Sequence, residues 1–484
     1  MYSFLLSLLA LLLGYLVYGA FVEKVFAPDP DRKTPAITKA DGVDYIAMPS
    51  WKVFMIQFLN IAGTGPIFGA IMGAKFGPSA YLWIVFGCIF AGAVHDYMSG
   101  MLSIRNGGAG LPELIGKYLG MTTKKVMLVF SILLLLLVGA VFVYSPALIL
   151  GDIAGNGSST AVMIWIGVIF AYYIVATLLP VDKIIGKIYP LFAFALLFMA
   201  AALLVCLFVK WPSIPEIWDG LGNRTSAATP IFPCLFITIA CGAISGFHAT
   251  QSPMMARCMQ NEKLGRPIFY GSMITEGLVA LVWAAVASYF FYDGGAAAVG
   301  SEVTAAAPTV VTKVAGSWLG VVGGILAVLG VVAAPITSGD TAFRSSRLII
   351  ADFLKYDQRP MKNRLAIAVP LFVIAAGLLW FNVANEDGFN IVWRYFGWAN
   401  QTLSVFTLWA ITAYLAGARK GAWYLITLLP ACFMTSVCTT YICIAKIGFN
   451  LPPSWNFWIG GSVFLLSLVL FFILKRRIHP SETN

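Results

Sequence analysis

Charge is what this chain has least of. Of its 484 residues only 11% are charged, while 60% are hydrophobic and the mean hydropathy is +0.86. A soluble domain carries about 25% charged residues, so a soluble core of this composition is excluded. A polytopic membrane protein is expected, and helices let such a chain satisfy its backbone within each span. Histidine is scarcer still, with three residues, one of them in the tail. Without an HExxH pattern or converging nucleophile and base groups, an enzyme is not expected. Paired cysteines are also missing. Cys88, Cys206, Cys234, Cys241, Cys258, Cys432, Cys438 and Cys443 form no CxxC, and most lie in apolar runs. They read as small buried hydrophobes rather than metal or redox ligands.

Nucleotide signatures are absent too. Arg105–Gly110 resembles a phosphate loop only by its glycines and lacks the Walker pattern, so it reads as a cytoplasmic turn and a self-contained primary pump is excluded. No loop is long enough for a folded extramembrane domain. The largest, Glu23–Ser50, and the Gly/Ala-rich Asp293–Pro308 read as connectors, with lids as the alternative. The apolar run Phe4–Val22 has no Lys or Arg before it and no small-residue cleavage site, so it is expected to be a retained first helix.

Thirteen segments are long enough to span about 30 Å of hydrocarbon. They are 3–22, 51–72, 79–101, 125–150, 161–180, 187–209, 230–256, 267–292, 316–338, 363–382, 391–416, 421–445 and 456–474, the ninth with an extension through Leu348–Leu354. Loops after odd segments hold 25 of the 31 Lys and Arg, and loops after even segments hold 6. The positive-inside bias predicts an external N-terminus and a cytoplasmic C-terminus. It also explains the net charge of +10 without nucleic acid.

Two segments are interrupted by glycine-rich polar stretches, one at Gly63-Thr64-Gly65-Pro66 and one at Gly242–His248. Unwound backbone at membrane depth survives only where protein, water or ligand satisfies it. The interrupted segments are the second and the seventh, so segments 2–6 and 7–11 form halves of opposite orientation, each opening with a broken helix. This is the logic of a LeuT-like five-plus-five inverted repeat, with one extra helix before it and two after. The domain reading is 1–50 (first helix and cytoplasmic loop), 51–210 and 230–416 (the two repeats) and 417–484 (two C-terminal helices and a cytoplasmic tail). Glycine notches for helix packing are the plain alternative.

Five stretches, in order, carry a family resemblance: Gln57–Pro66, Phe90–Tyr97, Ser245–Ser252, Ile336–Arg344 and Phe396–Gln401. Together they resemble the carbon starvation protein A (CstA) family over about residues 50 to 415. The resemblance implies a bacterial inner-membrane protein of the amino acid–polyamine–organocation superfamily, linked to uptake of peptides and in some members of pyruvate.

The candidate site residues follow from chemistry. Half-helix N-termini attract carboxylates, so the amides around Gly63, Thr64, Gly65, Ser245 and Gly246 are expected to hold a substrate carboxylate. Pro66 fixes where the first helix breaks. His248 is expected either to hold that carboxylate or to relay a proton, the alternative being a neutral ring bonded to backbone. Gln251, Asn400 and Gln401 are further substrate-binding candidates, although amides also bond neighbouring helices. Asp96 and Glu276 are carboxylates deep in spans, hence proton-coupling candidates, or partners in ion pairs. In carriers of the LeuT type the helix carrying Ser338, Asp340 and Thr341 supplies hydroxyl oxygens to sodium. Those residues, with the carbonyls of Ala62 or Gly63, are therefore a candidate sodium or proton site. An Asp340–Arg344 pair is the alternative. No catalytic residue, cofactor or other metal is expected, and the oligomeric state is open. The functional expectation is secondary active transport of a small carboxylate-bearing nutrient (peptide, amino acid or pyruvate), driven by a proton or sodium gradient. A channel or non-transporting receptor of the same fold is the alternative.

Overall fold

A computed structural model describes residues 1–155, 157–179, 185–226, 228–292, 307–385, 388–418 and 421–475. Apart from the short turns Pro35–Thr38 and Ile217–Asp219 in the two longest connections, 27–49 and 211–230, the described residues form helices joined by short connections. In chain order these are α1 (Tyr2–Phe26), α2 (Ser50–Ala62), α3 (Gly65–Ala74), α4 (Ser79–Arg105), α5 (Leu111–Leu119), α6 (Met121–Gly155), α7 (Ser159–Leu178) and α8 (Ile185–Lys210). Then follow α9 (Ile231–Thr238), α10 (Gly246–Ala256), α11 (Glu262–Tyr292), α12 (Ala307–Leu354), α13 (Met361–Ala384), α14 (Gly388–Ala418), α15 (Leu425–Ile444) and α16 (Pro453–Lys475). Nine of them are long and apolar enough to cross a membrane, ten if the bent pair α2–α3 is one span. Exposure sorts them. α4, α6 and α11 are the most deeply buried, whereas α1, α7 and α16 present most of their apolar side chains outward. Outward apolar surface of this extent is what a helix facing lipid requires.

Both expected breaks are present, at slightly different residues. The first is confined to Gly63 and Thr64, where the axis bends by 51°. Gly65 and Pro66 already open α3, because proline is tolerated in a first helical turn whose N–H groups have no intrahelical partner. The second break is as long as expected but lies three residues earlier, Ile239–Ser245. Gly242 takes φ +91 and Ser245 the extended conformation of an N-cap, so Gly246, Phe247 and His248 belong to α10 rather than to the break.

Two differences lie elsewhere. α12 begins at Ala307 rather than at 316, and Gly320 at φ 64, ψ −168 interrupts it. A glycine in a glycine-rich apolar run gave no polar signal of a break. α5 lies between the third and fourth expected spans, where no helix was expected, with Leu111, Leu114 and Ile115 buried. The segment Asp293–Pro308 lies, up to residue 306, outside the described residues, as do Lys183 and the chain beyond 475.

Loops after odd segments gather at one end. Arg105 pairs with Glu262 at 3.1 Å and Arg257 with Asp352 at 2.9 Å. From loop 23–50, Asp44 lies 3.5 Å from Arg344 and 3.6 Å from Arg347. Burial pushes the Asp44 carboxyl up, but these guanidiniums outweigh it and hold the group below its usual range. Loops after even segments meet at the other end, where Tyr292 Oη donates to Lys75 O and Ser79 Oγ to Leu221 O.

Candidate functional site

Gly63 makes the first break possible. It sits at φ +34, and a Cβ there would fall 2.8 Å from the Phe142 ring. Beside it the hydroxyl of Thr64 and both amide atoms of Asn60 are buried without a hydrogen-bond partner. Unpartnered buried polar groups are costly, so a cluster of them marks a place built for something else. Ser338 of α12 reaches this break from the side. Its Oγ donates to Leu59 O at 3.0 Å and lies 3.5 Å from the position a Gly63 Cβ would take. The expected ion-coupling set is divided, however. Thr341 donates back to carbonyls of its own helix, Thr337 O and Ser338 O. Asp340, two residues from Ser338 and thus on another face of α12, accepts from Tyr172 Oη at 2.9 Å. The alternative Asp340–Arg344 pair is not formed either, since Arg344 turns to Asp44 and to the carbonyls of Ala176 and Leu179.

The second break is held by neighbours. Trp83 Nε1 of α4 donates to Ile239 O at 2.8 Å. Gln401 Nε2 of α14 donates to Phe236 O at 2.9 Å, a carbonyl that α9 ends too soon to satisfy. Asn400 Oδ1 accepts from Phe247 N at 2.7 Å and from Ser245 Oγ at 3.0 Å. An oxygen thus already occupies the N-terminus of α10, where a substrate carboxylate was expected. Gln251 points elsewhere, toward Thr250 Oγ1 and Ser345 Oγ.

The breaks touch each other. A Cβ on Gly65 would fall 2.3 Å from Cys241 Cβ, and one on Gly242 would lie 3.8 Å from Pro66. A π-helical turn in α4, Cys88–Gly92, lets the second break approach: a Cβ on Gly92 would fall 2.1 Å from Ala243 O. Such widened turns recur at functional sites. All residues of both breaks are buried.

Directly after that turn come His95 and Asp96. His95 Nδ1 lies 2.8 Å from Asp96 Oδ1, His248 Nδ1 lies 2.8 Å from Asp96 Oδ2, and His248 Nε2 lies 3.4 Å from Glu276 Oε2. All four side chains have no exposed surface. Three residues singled out separately in the sequence therefore form one chain, joined by a fourth, His95. Cys241 adjoins it: its sulfur, His248 and Glu276 offer atoms within 4.8 Å of one another. His95 carried one signal in the sequence, its adjacency to Asp96. Cys241 carried none and read as filler, because its neighbours come from other helices.

Known proteins resemble the chain in sequence and in fold. The family model for "Carbon starvation protein CstA" matches residues 1–166, 153–322 and 303–441. An "Uncharacterized membrane protein" of Haemophilus influenzae is 49% identical over 60% of this chain and 91% of its own length. The "Peptide transporter CstA" of Campylobacter jejuni is 27% identical over 90% of this chain and 78% of its own, and that of Escherichia coli 25% over 88% and 78%. Among solved structures, the Eremococcus coleocola manganese transporter superposes with a TM-score of 0.58 at 12% identity, covering 91% of this chain and 99% of that one. MhsT in complex with L-phenylalanine superposes with 0.55 at 13% identity, covering 87% and 97%. At these identities the two structures establish the LeuT-like fold alone.

Proposed function

The chain belongs to the carbon starvation protein CstA family, and from that premise we propose that this membrane transporter is a secondary active importer of small carboxylate-bearing nutrients in the bacterial inner membrane. Peptides are the first class to test, as the names of its relatives suggest, with pyruvate and amino acids next. The proposed frame is thirteen crossings, N-terminus outside and C-terminus cytoplasmic, with segments 2–6 and 7–11 as an inverted repeat. The separation of basic loops to one end supports it.

The observation that carries the reading is the meeting of two broken helices over a buried chain of titratable groups. Broken helices at a repeat interface are how such carriers bind substrate near the midplane. Buried carboxylates and histidines within spans are how they move protons. In the proposed cycle, Asn400 Oδ1 holds the N-terminus of α10 in the closed state and yields to a substrate carboxylate in the loaded state. Asp96, His248 and Glu276 carry the coupling proton, and the passage of that proton changes how tightly α10 is held against α4 and to Glu276 of α11. Sodium at Leu59, Gly63 and Ser338 is the second reading, favoured by the approach of Ser338 Oγ to the first break.

Purified protein in liposomes decides between them. Peptide and pyruvate uptake are measured under separately imposed proton and sodium gradients. Uptake driven by the proton gradient alone is the expected result. Substrate binding without uptake under either gradient would mean a receptor and overturn the proposal.

A further inference from the structure

Cys241, His248 and Glu276 come from three places in the chain: the second break, the first turn of α10 and the middle of α11. Their ligand atoms converge in a fully buried space. A second observation bears on what they converge upon. His248 Nε2 and both oxygens of Glu276 have no hydrogen-bond partner. The 3.4 Å between Nε2 and Oε2 is long for a charge-assisted hydrogen bond, which runs to about 2.7–2.9 Å. It is the separation of two ligands that share one ion, since bonds of about 2.1 Å at the tetrahedral angle put donor atoms about 3.4 Å apart.

His248 is also held as metal-bound histidines are. Its Nδ1–H donates to Asp96 Oδ2 at 2.8 Å, which leaves the lone pair of Nε2 aimed at Glu276. Asp96 is steadied in turn by His95 on its other oxygen. We propose that Cys241 Sγ, His248 Nε2 and Glu276 form a binding site for a divalent transition metal of the zinc class, oriented by Asp96. Sulfur with imidazole selects against magnesium, calcium and manganese and favours zinc or cobalt. Three protein ligands leave the fourth position of the tetrahedron to water. On binding, the Cys241 thiol gives up its proton to solvent, the Nε2 and carboxylate lone pairs bond to the ion, and the His248 Nδ1–H stays with Asp96. An ion there ties the second break to α11 and takes up the lone pair that a relayed proton needs, so metal and coupling proton compete.

The test needs no transport. Tag-free protein in detergent is titrated with cobalt(II) and followed by absorbance. The expected result is one ion per chain with visible ligand-field bands of a tetrahedral site, a thiolate-to-cobalt charge-transfer band, and proton release in weak buffer. Cys241→Ser removes the charge-transfer band, and Cys88→Ser leaves it. Asp96→Asn, judged on protein whose melting temperature is near wild type, weakens binding roughly 10–100-fold, as loss of a group orienting a ligand does. Absence of saturable binding, or a charge-transfer band unchanged in Cys241→Ser, overturns the assignment. Failed uptake in liposomes with this binding intact would count against the transport reading only.

Discussion

The two breaks do the same topological job with different materials. The first is two residues long, uncharged, and lined by amides and hydroxyls with nothing to bond: Asn60 and Thr64 beside Gly63. The second is seven residues long, and its ends are satisfied by Trp83, Asn400 and Gln401. Titratable groups crowd against it, with Asp96 bridging His95 and His248, and Glu276 beyond. Neutral unpartnered groups cost little to expose and can be paid back by a ligand. Buried charges must be compensated in every state, so their proton content has to change when their surroundings do. The first break thus holds neutral polar groups free for a ligand, and the second holds groups able to answer with a proton.

The largest expected effect comes from forcing the breaks apart. Gly65→Leu puts a side chain where Cys241 stands, 2.3 Å from a modest Cβ. Uptake should fall to background while the protein still inserts and purifies. Gly246→Ala is the counterpart on the other side, because its methyl would meet backbone, Asn400 O and Ser404 N at 2.4 Å, which cannot turn away as a side chain can. Normal uptake with normal affinity in both variants would make the breaks packing notches and dissolve the comparison.

Next come the carboxylates. Glu276→Gln and Asp96→Asn should each abolish accumulation driven by a proton gradient while leaving exchange of bound substrate measurable. Uptake is followed against external pH. A wild-type pH profile in both variants would take the proton away from the second break and hand coupling to the first.

His248→Ala separates two jobs assigned to one ring. The Nδ1 side is already engaged by Asp96, which favours the relay, and pH dependence should flatten with substrate affinity changed no more than about threefold, well under 1 kcal/mol. If the ring instead holds the substrate carboxylate, a charged hydrogen bond of about 1.5–3 kcal/mol is lost and affinity falls roughly ten- to a hundredfold. Binding and melting temperature measured on the same purified variant tell these outcomes from a merely structural loss.

How far the sequence could be read follows the same division. The breaks were legible because glycine and proline at membrane depth violate what a span requires, and the fold followed from their spacing. The boundaries shifted because Ser245 serves as an N-cap, a conformation that its neighbours decide. Asp96, His248 and Glu276 were each legible as costly residues in spans. Their union was not, because 152 residues separate the first pair and only the packing of α10 on α4, with Glu276 of α11 reaching His248, brings them together. The same reason hid Cys241, and it misplaced Asp340. Spacing of two along a helix already puts Ser338 and Asp340 on different faces, and the tyrosine that claims Asp340 lies on α7.

The smallest expected effect tests the neutral side. Ser338→Ala removes one hydroxyl that donates to Leu59 O at 3.0 Å in a fully buried position. Losing such a bond costs about 1 kcal/mol, so a modest drop in melting temperature is expected whatever drives transport. The hydroxyl oxygen keeps lone pairs after donating, and they are free to accept a cation that the Gly63 backbone also faces. If protons alone drive the cycle, Ser338→Ala should leave uptake under a proton gradient near wild type, with no sodium stimulation to lose. If sodium binds there, wild type should show sodium-stimulated uptake, and the variant should need several-fold more sodium for half-maximal rate at an unchanged pH profile. The variant is worth making because its predicted effect is small: a change in sodium dependence alone, against so quiet a structural background, would move the coupling ion from the charged break to the uncharged one.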